Sequence, residues 1–367
     1  MLLYWILLLI PALGAVFASN QMRQFSNVVN KKHYRTQKSS LPISFFAFLM
    51  VLVVGLRHEV GADWSQYVVH VERAFQLTWI EAIMQIKGEP AYGLLTWIAA
   101  QLGGGVYLVN FVSAAIFVAG LMVFARNSPF FWLTLCVAVP YLVIVVAMGY
   151  TRQSAAIGLV MIGLVSLSRG QLYKFTAWLI LAALFHKSAV ILIPLAVFSG
   201  RRKWGAVLGV LLVGGLMFAL ILAEHIDFLY RGYMFAKYES SGAAIRVSMN
   251  ALPAAVFLLF RHRFGLTIEQ NAFWTWMSLG ALAFIVLLAV SPSSTAVDRL
   301  ALYWIPLQLF VWSRLPQAMG QRAGTKRQWL AVVMSYAFAV QFVWLLYADH
   351  SYAWLPYQFY PWVWLWS

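Results

Sequence analysis

The chain is written as a succession of long apolar runs separated by short polar interruptions, and that alternation leaves few folds open. A helix needs roughly 20 apolar residues to cross a hydrocarbon core, fewer where it is broken or borders a wet cavity. Candidate spans fall at 2–18, 41–56, 106–125, 129–148, 153–168, 172–186, 188–199, 204–223, 247–260, 271–290, 299–313 and 328–347. Backbone polar groups in lipid must be satisfied within each segment. The runs therefore predict an all-α, polytopic membrane protein of about 12 transmembrane helices, some short or broken. A hydrophobic fraction of 63%, a charged fraction of 10% and a mean hydropathy of +0.78 exclude an ordinary soluble domain, in which roughly a quarter of the residues are charged. Residues 1–367 read as a single transmembrane domain.

A net charge of +15 would suggest nucleic acid in a soluble protein, but its distribution here is topological. If the spans alternate from an outer N-terminus, the inner loops hold Arg23 to Lys38, Arg126, Arg169, Lys174, Arg201 to Lys203, Arg261, Arg263 and Arg314 to Arg327. These are 17 of the 26 Lys and Arg residues, set against one acid, Glu269. The outer loops are then close to neutral, the asymmetry expected of the positive-inside rule, and no nucleic-acid partner is implied. The basic inner face attracts anionic membrane lipid. Leu2 to Phe17 lacks a basic n-region and is followed by Arg23, Lys31 and Lys32, which predicts an uncleaved first helix. With an even number of spans, both termini are expected on the outer side. The single cysteine, Cys136, excludes an intramolecular disulfide and a cysteine-based metal site.

The outer loops differ in character. In 57–90, Trp64, Tyr67, Val68, Val71, Phe75, Trp79, Ile80 and Ile83 recur at helical spacing, which predicts an amphipathic helix lying at the interface. Ala91 to Ala100, followed by Gly103-Gly104-Gly105, reads as a half-helix that stops before the next span. A second outer loop, 224–246, mixes Asp227, Tyr230, Arg231, Tyr233, Lys237, Tyr238 and Glu239. The tail, 348–367, with Trp354, Tyr357, Tyr360, Trp362, Trp364 and Trp366, is expected to be an interfacial aromatic anchor.

Charged groups near a bilayer are costly unless paired or facing water, so those at span ends are functional candidates. Four sets share the outer level. They are Arg57, His58, Glu59 and Asp63; Tyr150, Arg152 and Gln153; His186 and Lys187; and Arg246 with Asp298-Arg299. Arg152, in the first turn of its helix, opposes the helix dipole and calls for an anionic partner. Arginines gathered at one level point to phosphate recognition, because the guanidinium fork matches phosphate oxygens and stays charged. Acids spaced for Mg²⁺ or Mn²⁺ are not evident, so no metal and no other cofactor is expected.

The order Gly55-Leu56-Arg57-x-x-x-Gly61-x-Asp63-Trp64-x-x-Tyr67, Glu89-Pro90-x-Tyr92, Tyr150-x-Arg152-Gln153, Phe185-His186-x-Ser188-Ala189 and Arg299-x-x-x-Tyr303 resembles the EpsG-type family of bacterial exopolysaccharide polymerases, within the broader Wzy-like class of O-antigen polymerases. The similarity runs from Pro42 to Phe310. Two departures stand out: His58 occupies a position where members often carry tyrosine, and the tail after Trp329 is unusually aromatic.

The resemblance implies substrates linked to undecaprenyl diphosphate at the periplasmic face of the bacterial inner membrane. A growing glycan would pass from its lipid diphosphate to the non-reducing end of a lipid-linked repeat, in a metal-independent glycosyltransferase reaction, with a chain-length regulator as a further suggested partner. In that reaction Arg57, Arg152, Arg246 and Arg299, with Lys187 beside them, would bind the diphosphate, and Gln153 would orient Arg152 or a phosphate oxygen. Asp63 is the first choice of general base, with Glu59 and His186 as alternatives. Glu89 and Asp298 would pair with the arginines. Trp64, Tyr67, Tyr92 and Tyr150 offer ring faces to sugars. Two other readings stay open at this point. One is a polyprenyl-linked glycosyltransferase or O-antigen ligase. The other is a lipid-linked oligosaccharide flippase, which predicts charges through the membrane depth and internal repeats.

Overall fold

The computed structural model describes residues 1–25, 40–198 and 242–366, together with single helical positions at 208, 212 and 215. Its helices are α1 (Leu2–Phe25), α2 (Leu41–Gly55), α3 (Trp64–Phe75), α4 (Trp79–Gln85), α5 (Pro90–Gln101), α6 (Gly105–Arg126), α7 (Phe131–Ala138), α8 (Thr151–Ser168) and α9 (Leu172–Phe185). They continue as α10 (Ala243–Phe260), α11 (Ile268–Val290), α12 (Ser294–Ala301), α13 (Ile305–Met319), α14 (Ala323–Tyr347) and α15 (Tyr360–Trp366). A π-helix, Val139–Ala147, prolongs α7, and a 3-10 segment, Lys187–Phe198, follows α9. Among the described residues, six helices are long and apolar enough to cross a membrane (α1, α6, α8, α10, α11 and α14), with several shorter apolar ones between them. The chain is thus an all-α polytopic membrane protein. The span expected at 204–223 and residues 224–241 of the second outer loop lie outside the described residues.

The helices are apolar nearly all round, so packing rather than amphipathicity sorts them. α8 is the axis: 83% of it is buried, against 33% of the α11 window, which leaves α11 mostly on the surface of the bundle. α6 and α9 flank α8, and α2 lies on α6. The α6–α8 contact is close because both helices put glycine at the crossing: a Cβ on Gly120 would lie inside van der Waals distance of the Gly158 backbone oxygen. On the other flank, α13 packs on α7, α10 and α14.

Three expectations are corrected. The span expected at 299–313 is split into α12, a 3-10 turn (Leu302–Trp304) and α13, with Pro306 in the first turn of α13, where its missing N–H costs nothing. The interfacial helix expected over 57–90 is two helices. Thr78 caps α4 in a reciprocal box with Glu81, which starts a new helix and leaves Phe75, Trp79 and Ile80 more than half exposed.

The aromatic tail is not merely an anchor. Its β2 strand (Gln358–Phe359) pairs antiparallel with β1 (Arg57–His58), placing Phe359 opposite Arg57 and Gln358 opposite His58. Trp354, 2% exposed, donates from Nε1 to the Ile144 carbonyl of the π-helix at 2.8 Å. Its own carbonyl accepts from the Tyr4 hydroxyl at 2.7 Å. Trp362 and Trp364, by contrast, are each 67% exposed.

Candidate active site

The loop between α2 and α3 is built around Arg57. Its side chain is 1% exposed, and every guanidinium nitrogen is engaged within the protein. Nε donates to the Val60 carbonyl (3.1 Å), Nη1 to the Val54 carbonyl (2.5 Å), and Nη2 to Asn110 Oδ1 (3.2 Å) and Thr151 Oγ1 (2.7 Å). The expectation that Arg57 binds diphosphate is therefore corrected. Apolar burial forces the cation to use carbonyls and amide oxygen as partners, and it ties the end of α2 to the start of α8. Gly61 completes the bend. Its φ of +106° is open to glycine, and a Cβ there would meet the Met148 carbonyl oxygen at 2.3 Å, while its N–H reaches the Ala353 carbonyl of the tail at 2.8 Å.

This loop delivers Asp63 to the head of α3. Among the described residues the Asp63 carboxylate makes no hydrogen bond and no ion pair. It lies within electrostatic reach of Arg299, Arg152, Lys87 and His186. Burial pushes its carboxyl above the ordinary value, against the opposing pull of those cations.

The centre of the site is Glu89, 1% exposed and placed just before Pro90 at the start of α5. One carboxylate oxygen accepts from Arg152 Nη1 at 2.5 Å, and the other lies 2.5 Å from His186 Nδ1. Arg152, in the first turn of α8, has its anionic partner in Glu89, and its guanidinium lies 5.5 Å over the Tyr92 ring. His186 terminates α9 in an extended conformation before the 3-10 segment, and its Nε2 makes no hydrogen bond among the described residues. Burial alone would raise the Glu89 carboxyl, but the charges and hydrogen bonds of His186 and Arg152 outweigh it and hold Glu89 at about 2. Glu89 thus stays ionised and fixes both side chains. Below them, Ser188 Oγ and the buried Tyr303 hydroxyl lie 3.3 Å apart.

Other candidates take different places. The exposed Arg299 makes no side-chain hydrogen bond or ion pair among the described residues, and its backbone carbonyl accepts from Gln153 Nε2 at 2.7 Å. Gln153 therefore ties α8 to α12 and does not orient the Arg152 side chain. Arg246 is held in a two-pronged pair with Asp298, both contacts at 2.7 Å. Half-buried Tyr150 lies in electrostatic reach of Asp63 and Arg299 on one side and of Asp298 and Arg246 on the other. Tyr67 and Tyr92 are buried: the Tyr67 hydroxyl meets the Thr151 backbone N–H, and Tyr92 supports Arg152, so neither ring offers a face to a sugar. Half-buried Lys187 opens the 3-10 segment. Glu59, 62% exposed, stands by His58 rather than among the arginines.

Lys87 was not singled out by the sequence. Its signal was the turn Lys87-Gly88-Glu89-Pro90, in which both Lys87 and Gly88 have positive φ, a bend that aims Glu89 inward while Lys87 stays near Asp63. Asn110 was equally hidden, as a lone amide inside α6.

Fold and site together define a polytopic helical membrane protein with a polar, cation-rich site assembled from helix ends and the loops that join them. The EpsG family model matches residues 40–359, and the chain belongs to that family; membership points to a polysaccharide polymerase-like membrane protein. No curated protein and no solved structure matches the chain.

Proposed function

We propose that the chain is a polysaccharide polymerase of the Wzy type. It transfers a growing glycan from undecaprenyl diphosphate to the non-reducing end of a lipid-linked repeat at the periplasmic face of the bacterial inner membrane. Both termini lie on that side. The observation that carries the reading is Asp63, whose carboxylate makes no hydrogen bond or ion pair among the described residues and lies within electrostatic reach of Arg299, Arg152, Lys87 and His186.

The chemistry needs a base and a cation clamp. Asp63 takes the proton from the acceptor hydroxyl as its oxygen bonds to the anomeric carbon of the donor glycan. The bond from that carbon to the diphosphate oxygen breaks, and the departing lipid diphosphate gains negative charge. Arg299 and Lys87, whose side chains are open to solvent, meet that charge, and Arg152 adds its own field. His186, held by Glu89 through Nδ1, presents Nε2 as a hydrogen-bond donor when protonated. Asp63 then returns its proton to water.

The test is polymerisation of purified lipid-linked repeat by the purified full chain, with and without EDTA. Long chains formed at equal rates in both support the reading, since arginine and lysine supply the charge. Dependence on added divalent metal overturns the metal-independent mechanism. Transfer of a finished glycan to a different lipid acceptor, with no chain growth, makes the protein a ligase. In cells lacking activity, repeats accumulating at the inner face favour a flippase.

A further inference from the structure

The outward side of the 57–64 loop carries a second group of side chains that the cationic site does not use. His58 Nδ1 lies 2.6 Å from the Tyr107 hydroxyl. The Tyr107 ring stacks on Tyr360 of the tail, with centroids 3.5 Å apart and planes 18° apart. Trp64 closes the group, its ring centroid 5.9 Å from that of His58 and 5.7 Å from that of Tyr107. All four rings are half-buried, so each is braced on one side and open on another. At the rim stands Glu59, 62% exposed, with Oε1 3.9 Å from His58 Nε2.

Two properties restrict what this group can hold. The exposed carboxylate disfavours an anion, so the lipid diphosphate belongs elsewhere. A solvated charge and an imidazole at the rim are also out of place against an acyl chain. A sugar suits both halves: its C–H face lies on aromatic rings, and its hydroxyls donate to a carboxylate and exchange hydrogen bonds with an imidazole. The backbone adds an independent sign. Glu59 has a φ of +52°, a left-handed conformation unfavourable to a side chain, and such strain gathers at ligand sites.

We propose that His58, Glu59, Trp64, Tyr107 and Tyr360 form a glycan-binding subsite that holds a pyranose unit of the acceptor repeat. The inference rests on the polymerase reading for the identity of that acceptor. Trp64 directly follows Asp63, so a sugar on the Trp64 ring lies within one or two units of the proposed base. The tail, by pairing β2 with β1 and stacking Tyr360 on Tyr107, completes the platform.

The probe is the soluble oligosaccharide released from the lipid-linked repeat by mild acid and dephosphorylated. Binding to the full chain in lipid nanodiscs is read by saturation-transfer NMR. Wild type is expected to bind, and Trp64→Leu and Glu59→Ala to weaken binding by about tenfold. Glu59 is exposed, so its truncation leaves the fold intact even where Trp64→Leu does not. No binding by wild type, or undiminished binding by Glu59→Ala, overturns the subsite. The polymerase reading fails separately: oligosaccharide that binds at this platform in a protein that extends no lipid-linked repeat leaves the subsite standing and removes the reaction.

Discussion

Glu89 and His186 meet through a carboxylate oxygen 2.5 Å from Nδ1, inside a wall of the site where Glu89 is 1% exposed. The same carboxylate holds Arg152, so one buried anion anchors two side chains from different helices. Glu89→Gln keeps the shape and removes the charge. It is expected to cost about 3–5 kcal/mol of stability, the usual loss when one member of a buried ion pair is removed. Thermal unfolding in detergent, followed by loss of the monodisperse peak, measures it. The pH dependence has a definite sign. Glu89 is held at about 2 against an ordinary 4.5, so its contribution is present above pH 4.5 and is lost as pH falls from there towards 2. A variant whose melting matches wild type at neutral pH would show that the triad does not brace the fold.

Asp63 couples activity and stability in opposite directions. Its carboxyl is raised by burial, so ionisation opposes folding at pH values above the unfolded pKa. Asp63→Asn is therefore expected to melt higher than wild type at neutral pH, while polymer formation falls by about 10²–10⁴-fold with loss of the base. In wild type the acid limb of the rate profile should lie above the range of an ordinary aspartate. Unchanged polymerisation by Asp63→Asn removes Asp63 from the reaction.

Arg57 and Arg299 separate structure from chemistry. Arg57→Ala leaves the Thr151 hydroxyl oxygen and the Val54 and Val60 carbonyls without the Arg57 donor, while Asn110 Oδ1 keeps only the Thr151 hydroxyl, and is expected to destabilise by about 3–5 kcal/mol. Arg299 is exposed with no side-chain partner among the described residues. Arg299→Ala should fold normally and lose about 10²–10³-fold in rate, the effect of removing one charge stabiliser. Cells carrying it should accumulate single lipid-linked repeats. Long chains persisting in those cells would exclude Arg299 from the clamp.

What the sequence disclosed follows from how rare charge is in this chain. Glu89, Arg152, His186 and Asp63 stand out because each interrupts or borders an apolar run, and the runs themselves give the helical membrane fold. That Glu89 and Asp298 pair with arginines was legible, but which arginine each takes, and that Glu89 also holds His186, was not, since Glu89 meets partners 63 and 97 positions away. Arg57 misled for a physical reason: an arginine at the end of a span reads the same whether it faces phosphate or is satisfied by carbonyls. Tyr67 and Tyr92 misled likewise, as a tyrosine beside a charge reads as a sugar platform until its hydroxyl is seen to be buried. The tail read as a membrane belt because aromatic composition carries no record of the π-helix carbonyl that Trp354 satisfies.

That carbonyl leads to a prediction about the tail. Trp354 fills the space over Gly149, where a Cβ would lie 2.6 Å from its ring, and packs edge-on against Trp344 at 4.9 Å. Its loss opens a cavity and removes the side-chain donor from the Ile144 carbonyl in the π-helix that leads to Tyr150 and Arg152. Trp354→Ala is expected to cost about 3–5 kcal/mol, and Trp354→Phe less, since the ring volume largely remains while the Nε1 donor is gone. The β1–β2 pairing and the Gly61 N–H bond to Ala353 should loosen with it. Hydrogen exchange reads this directly: in Trp354→Ala the amides of Gly61 and Tyr360 should exchange faster than in wild type, while those in the middle of α8 stay protected. Equal protection of Gly61 in both proteins would show that the tail does not hold the loop carrying Asp63.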